Sequence, residues 1–407
     1  MPEAVIVSTA RTPIGRARKG SLVDVRPDDL AAGVIRSALA KIPELDPTEL
    51  DDLYLGCAEP HDEHGGNVAR RVAVQLGLDN VPAATINRFC ASSVQTARMA
   101  FHAIRAGEGD AFVSAGVECV SRYRNFGGAG VDPVETQNPI FADAAARTAG
   151  YVESNAVWRD PRTDGQLPDI YIQMGQTAEH VATLRGITRA ECDEFGVRSQ
   201  QRAEQATRDG VFADEIDPVT LADGTVVDTD DCPRPGVTLD GVSALQPAFR
   251  SDGVVTAGNC TPLNDGAAAV VIMSDTRARE LGLTPLARIV STGVSALSPE
   301  IMGLGPVEAS QRALARANMI MDDIDLVEIN EAFAVQVIAS QRELGIDPDR
   351  LNVYGGAIAL GHPFGATGAR IMTTLLNGMR RRDVEFGLET MCVGGGQGMA
   401  IVLQRLT

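Results

Sequence analysis

Aromatic residues are scarce: Phe, Tyr and Trp together make up 4% of the 407 residues. A core poor in rings must be filled by small aliphatic side chains, which suits closely spaced layers of helix and sheet. Positive charge is also short. There are 36 Lys and Arg against 54 Asp and Glu, a net charge of −18. That balance argues against nucleic acid or an anionic membrane surface as the main partner, and leaves local Arg residues or helix ends to hold any anionic ligand. No apolar run reaches the roughly 18 residues that a membrane span requires. The 7 cysteines form an odd set with no Cys-x-x-Cys pair and no metal-ligand spacing. Neither a disulfide framework nor a zinc site is expected, and a reducing, cytoplasmic setting is. The start, Met1-Pro2-Glu3-Ala4-Val5-Ile6-Val7, reads as a first strand and not as a signal peptide. The end, Gln404-Arg405-Leu406-Thr407, is not a peroxisomal address.

What is abundant is glycine, 41 residues, set among apolar runs that alternate with helical patterns. This predicts an α/β fold. The near half reads as a strand at 4–8, a helix at 27–40, a strand at 53–56, a helix at 67–76, a strand-like run at 81–86 feeding a helix, and a strand at 111–115. The far half repeats the plan with a strand at 287–292, a helix at 307–317 and a strand at 326–329. A helix at 333–344, a strand at 353–354, a helix at 366–379 and strands at 389–392 and 399–403 follow. In both halves a small-residue turn enters a long central helix that is followed by a strand, which predicts an internal duplication. Between them, residues 121–250 are rich in Asp, Pro and Gly. One amphipathic helix pair is expected there, at 174–184 and 189–209, with Thr188 and Glu191 as a capping box. Such an insertion reads as a lid or binding subdomain.

Four motifs carry chemistry. Cys90 lies in Asn87-Arg88-Phe89-Cys90-Ala91-Ser92-Ser93, where a strand hands over to a helix N-terminus. Unpaired N–H groups and the helix dipole there predict a thiol shifted toward thiolate. His362, in Gly361-His362-Pro363-Phe364-Gly365, occupies a glycine-bracketed loop at another helix entrance, in the equivalent place of the far half. A cysteine and a histidine so placed suggest a nucleophile and its base. Met391-Cys392-Val393-Gly394-Gly395-Gly396 ends a strand in glycines, where exposed N–H groups could form an oxyanion site or simply a hairpin. In Asn330-Glu331-Ala332-Phe333, Asn330 either caps a helix or holds a water through its amide. A fifth segment, residues 256–269, offers small polar side chains for close packing and ligand hydrogen bonds.

Together these motifs, in this order and with Ala10-Arg11-Thr12-Pro13-Ile14-Gly15 near the start, resemble the thiolase family over nearly the whole chain. The resemblance implies a five-layered αβαβα fold of two similar halves: residues 1–120 with 251–275, and residues 276–407, with 121–250 as an inserted loop domain. It implies an acyltransferase that cleaves 3-ketoacyl-CoA with CoA, or condenses acetyl-CoA in reverse, through an acyl group on Cys90. It further implies that His362 activates Cys90 and later binds the thioester oxygen, that Cys392 moves the α-proton, and that Asn330 orients an oxyanion-site water. The N–H groups of Cys90 and Gly394 would form the second oxyanion site. CoA is a substrate, with no tightly bound cofactor and no metal. Arg234 matches a residue near its adenine and phosphates, Thr261 a hydroxyl on the pantetheine arm, and Met174 an apolar contact at the acyl pocket. Gln173 and Gly241 depart from residues common in the family. The form of the Cys90 motif lies closer to the degradative 3-ketoacyl-CoA branch, and a homodimer or homotetramer is implied. Two other readings are a ketoacyl-synthase-type condensing enzyme, which pairs cysteine with two histidines, and a catalytically inactive thiolase-fold protein that binds lipid or acyl-CoA.

Overall fold

The computed structural model describes residues 1–124, 136–154 and 156–407. Its strands in chain order are β1 (Ala4–Arg11), β2 (Gly15–Arg16), β3 (Asp52–Gly56), β4 (Ala83–Ile86), β5 (Ala111–Cys119), β6 (Val219–Thr220), β7 (Val226–Val227), β8 (Asn264–Ser274), β9 (Ala287–Ala296), β10 (Leu326–Ile329), β11 (Phe386–Val393) and β12 (Gln397–Arg405). One half-sheet runs β4-β3-β5-β8-β1, with β3 parallel to both β4 and β5 and the other pairings antiparallel. The other runs β10-β11-β12-β9, with β10 parallel to β11 and the rest antiparallel. Matching β1, β8, β5 and β3 to β9, β12, β11 and β10 gives the same order and sense, so the expected duplication is real. Among the described residues the two half-sheets pair with each other through Val5↔Arg288 and Ile6↔Ala287.

The layering follows from side-chain alternation. Along β8, Ala267, Ala269, Val271 and Met273 point into one core cluster, and Ala268, Val270 and Ile272 into another. Both faces are therefore dry, as in a sheet covered on each side. Helices Pro27–Ala40 and Val68–Gln75 cover the outer face of the first half-sheet, and Gly305–Ala317 covers that of the second. Between the half-sheets lie Ser92–Ala106 and Thr367–Arg382, which touch each other and both sheets. Five layers result.

Helix Pro27–Ala40 has its expected bounds, and the strand at 326–329 is β10. The others differ by a few residues at the ends. The strand expected at 353–354 is absent. The chain bends at Asn352 (φ 46°) and Gly355 (φ 80°). Instead the Asn352 amide pairs with β10, accepting from Ile329 N–H at 2.8 Å and donating to Ile329 C=O at 2.9 Å. Within the 121–250 segment, residues 125–135 and 155 lie outside the described residues. The helix pair is present as Met174–Arg185 and Arg189–Arg208, and the Thr188–Glu191 capping box forms. A helix the pattern had not suggested, Ala142–Ser154, precedes them. Glu300, from the second half, ties the segment down: its carboxylate accepts from Arg147 (2.9 Å), Trp158 Nε1 (2.7 Å) and Asp169 N–H (2.9 Å).

Candidate active site

Cys90 sits in a short 3-10 turn, Phe89–Ala91, which runs into Ser92–Ala106. Phe89 before it has φ 43°, a left-handed conformation that a bulky side chain adopts only when its neighbours enforce it. Those neighbours are visible. Asn87 Oδ1 accepts the Phe89 N–H at 2.8 Å, and Ser92 Oγ donates to Phe89 C=O at 2.6 Å. Arg88 holds the turn to the far half by donating to Gln397 Oε1 at 2.6 Å. The backbone N–H groups of Gly394 and of Cys90 itself bond to the Cys90 sulfur. They draw its pKa down, but burial is the larger effect and pushes it up to about 12. This corrects the expectation of a resting thiolate. The helix end supplies donors, yet withdrawal from water outweighs them, and the sulfur rests as a thiol.

His362 lies in the loop entering the second central helix. It is buried, and its ring is fixed at both nitrogens. Nδ1 lies 2.6 Å from Thr367 Oγ1, and that hydroxyl donates its only hydrogen to Pro363 C=O at 2.7 Å. Thr367 must therefore accept, so Nδ1 carries the proton. Nε2 is left with its lone pair, 3.2 Å from Asn330 Nδ2, which donates to it. Burial, helped by Arg370, lowers the imidazole pKa to about 3, so the ring is neutral. Asn330 does not cap a helix: the next one begins at Ala334 after Phe333. Its Oδ1 is buried with no partner, an acceptor left for a water or ligand.

The turn bearing Cys90 packs on both β11 and the Phe364–Ala366 turn that follows His362. Cys392, near the end of β11, is fully buried. Burial pushes its thiol well up, and the adjacent Cys90 adds to that push. Cys90, His362, Asn330, Cys392 and Gly394 are thus gathered where the halves meet. The glycines after Cys392 serve the hairpin as well. Gly396 has φ 81°, and a Cβ there would stand 2.3 Å from Leu297 C=O.

Arg234, Thr261 and Gly241 line one cavity of about 490 Å³, together with Arg16, Cys260 and Ile358. Among the described residues Arg234 has no ion pair, although its backbone N–H bonds Gln200 at 2.9 Å. Thr261 Oγ1 donates to Ala357 C=O at 3.0 Å, which leaves its oxygen lone pairs. The segment holding Thr261 is stitched to the Asn330 motif by Thr261 N–H to Ala332 C=O (3.1 Å) and Ala334 N–H to Asn259 C=O (2.9 Å). Met174 is not on this cavity. It packs with Phe249, Leu297 and Ile301 against the cluster that contains Cys392. Among the described residues no group of acids, histidines and cysteines is placed to hold a metal ion.

Three residues escaped the sequence reading. Thr367 fixes the imidazole tautomer. Asn264 Oδ1 accepts the His362 N–H at 2.9 Å, so the fifth segment binds the loop rather than only a ligand. Glu331 accepts from Ser199 Oγ (2.6 Å), Asn352 (2.8 Å) and Ile358 N–H (3.1 Å), bracing the entry to that loop. A buried Glu next to Asn330 in a strand-to-helix turn was the available signal.

Residues 4–276 match the family model described as Thiolase, N-terminal domain, and residues 283–405 match Thiolase, C-terminal domain. The chain is 43% identical over 417 residues to the 3-ketoacyl-CoA thiolase of Bacillus subtilis (strain 168), covering 99% of this chain and 100% of the relative. It is 43% identical over 415 residues to that of Cronobacter sakazakii, covering 100% of both. Two solved structures are similar over 100% of this chain and 99% of theirs: the Bacillus anthracis acetyl-CoA acetyltransferase (TM-score 0.85, 37% identity) and human mitochondrial 3-ketoacyl-CoA thiolase (TM-score 0.86, 34% identity).

Proposed function

The chain belongs to the thiolase family and is a CoA-dependent acyltransferase, and we propose that its chemistry runs through Cys90, His362, Asn330, Cys392 and Gly394. The Cys90 thiol passes its proton to His362 Nε2 as sulfur attacks the C3 carbonyl of a 3-ketoacyl-CoA. The N–H groups of Cys90 and Gly394 face the oxygen that becomes negative. The C2–C3 bond then breaks, leaving acyl-Cys90 and the enolate of acetyl-CoA. Protonated His362 and a water held by Asn330 bind the enolate's thioester oxygen, while the Cys392 thiol protonates its carbon. The Cys392 thiolate next takes the proton of an incoming CoA thiol. CoA attacks the acyl-cysteine, the Cys90 sulfur leaves and recovers its proton from His362, and the shortened acyl-CoA departs. Each oxyanion donor of this kind is worth about 10²–10³ in rate.

The observation that carries this reading is the unprotonated Nε2 of a neutral imidazole, whose lone pair accepts only a neutral amide N–H from Asn330, in the loop that packs on the Cys90 turn. Neutral thiol and neutral imidazole form a stable resting pair, and the ion pair gains its stabilisation only when substrate brings a carbonyl to the donors. A second histidine, as in ketoacyl synthases, has no counterpart, because Asn330 occupies that place. An inactive scaffold has no need to keep all four reactive side chains. Arg234 and Arg16 are assigned to CoA phosphates, Thr261 to the pantetheine arm and Met174 to the acyl pocket. We assign residues 1–120 with 251–275 and residues 276–407 to the catalytic halves, and 121–250 to CoA binding. Fatty-acid degradation is the assigned role, supported by the relatives' names. A cytoplasmic setting is supported by seven free thiols. Pairing of two copies is supported by β4, an edge strand whose residues are all partly exposed.

Cys90→Ala should abolish thiolysis and condensation, measured as acetoacetyl-CoA turnover in both directions, and His362→Ala should nearly do so. Cys392→Ala should block exchange of the acetyl-CoA α-protons with deuterated water while Cys90 still accepts a radiolabelled acetyl group. Full exchange in that variant removes Cys392 from the role.

A further inference from the structure

Glu118, near the end of β5, is fully buried, and five donors converge on its carboxylate. Oε2 accepts from Ala58 N–H at 2.8 Å and Gly365 N–H at 2.7 Å. Oε1 accepts from Glu59 N–H at 3.3 Å, the Cys57 thiol at 3.5 Å, and the Tyr123 hydroxyl. One arm of this set reaches the candidate base. Gly365 closes the loop that carries His362, and it is wedged tightly: an added Cβ would stand 2.8 Å from Cys57 Cα and from Val117 C=O. The other arm reaches the candidate nucleophile. Ala58 C=O accepts from Asn87 Nδ2 at 2.9 Å, Asn87 Oδ1 accepts the Phe89 N–H at 2.8 Å, and Phe89 precedes Cys90 in its strained turn.

We propose that Glu118 is a positioning residue of the acyl-transfer site: one buried carboxylate anchors both the Cys90 turn and the His362 loop, and so sets the reach from sulfur to imidazole. It touches no substrate atom. The two groups come from different halves of the molecule, and Glu118 bonds to both sides. Charge-assisted hydrogen bonds suit this task, being shorter and about twice as strong as neutral ones. The inference rests on the roles proposed for Cys90 and His362.

Glu118→Gln keeps the size but leaves one accepting oxygen for five donors, so the amide nitrogen, which cannot accept, must face either Ala58 and Gly365 or Glu59, Cys57 and Tyr123, and the anchor is weakened on one side. Its kcat for thiolysis should fall about 100-fold, the loss typical of a misplacement near 1 Å, while KM for CoA stays within about twofold because the carboxylate does not line the cavity assigned to CoA. Alkylation of Cys90 by iodoacetamide in the free enzyme, read by mass spectrometry, should slow as well. Asn87→Ala cuts only the Cys90 arm at an exposed side chain. It should lower kcat about tenfold, with KM for CoA and melting temperature unchanged. If Glu118→Gln does not fold, Asn87→Ala decides. Folded variants with wild-type kcat and wild-type alkylation rates overturn the proposal. So does a kcat deficit matched by an equal loss of alkylatable Cys90, which is misfolding and nothing more. A wild-type enzyme without thiolysis would instead overturn the site reading beneath it.

Discussion

At His362 the tautomer is decided by one hydroxyl, because Thr367 donates to Pro363 C=O and has only acceptor capacity left for Nδ1. Thr367→Val keeps the shape and removes that acceptor. A buried N–H without a partner costs about 1–3 kcal/mol, and the ring can turn or change tautomer to avoid it. The variant should lose about tenfold in kcat or more, with KM for CoA unchanged, and the imidazole nitrogen shifts in an NMR spectrum should show the proton redistributed. An unaltered spectrum would mean that Asn330 alone sets the tautomer. The residues proposed to react stood out in the sequence, since Cys90 and His362 each sit among local turn signals. Their supports were not. Gly365 meets Glu118 across 247 positions, and His362 meets Asn264 across 98. Nothing local marks a residue whose partner lies that far along the chain. The resting thiolate was misread for a related reason: a helix start is visible in sequence, whereas the burial that outweighs it exists only after folding.

Among elements, close packing through glycine explains how small side chains fill the layers. Helix Gly305–Ala317 lies so near β9 and β12 that a Cβ on Gly293 would stand 2.0 Å from Ala309 C=O, and one on Gly398 would stand 2.0 Å from Gly305 C=O. Gly398→Ala should therefore destabilise by about 3 kcal/mol, the upper end of the overpacking range. Gly33, inside helix Pro27–Ala40, has nothing within 4 Å of the same position. Gly33→Ala should stabilise by about 0.5–1 kcal/mol. Denaturant titration of both variants checks the pair, and equal signs would refute the contact argument. Most elements were legible because two-sided burial gives long apolar runs and amphipathic stripes. The exception at 353–354 shows the limit. Val353 and Tyr354 favour a strand intrinsically, but the Asn352 side chain has already taken the pairing groups of Ile329.

For the molecule as a whole, folding buries titratable groups of opposite habit. Glu328 and Glu389 face each other in register on β10 and β11, near Arg370. Burial pushes Glu328 up to about 8, against the pull of Arg370 and with a further push from Glu331 and Glu215. The folded protein thus keeps a proton that the unfolded chain releases above about 4.3. Glu328's contribution is full below that value and is lost as pH rises through about 8. His362 works the other way. Its contribution is full above the ordinary histidine value of about 6.5 and is lost as pH falls through about 3. Between about pH 5 and 8 the melting temperature of Glu328→Gln should fall less steeply with rising pH than that of the wild type. Parallel curves from scanning calorimetry would remove Glu328 as the cause.

The meeting of two halves at one crevice also orders events during synthesis. Cys90 leaves the ribosome early, whereas Asn330, His362, Cys392 and Gly394 all belong to residues 330–407. Until that last stretch emerges and β12 docks beside β9, the thiol has neither its proposed proton acceptor nor the Gly394 N–H. A nascent chain therefore carries Cys90 as an ordinary thiol, and the partners proposed for it are assembled only once residues 330–407 have folded against the first half.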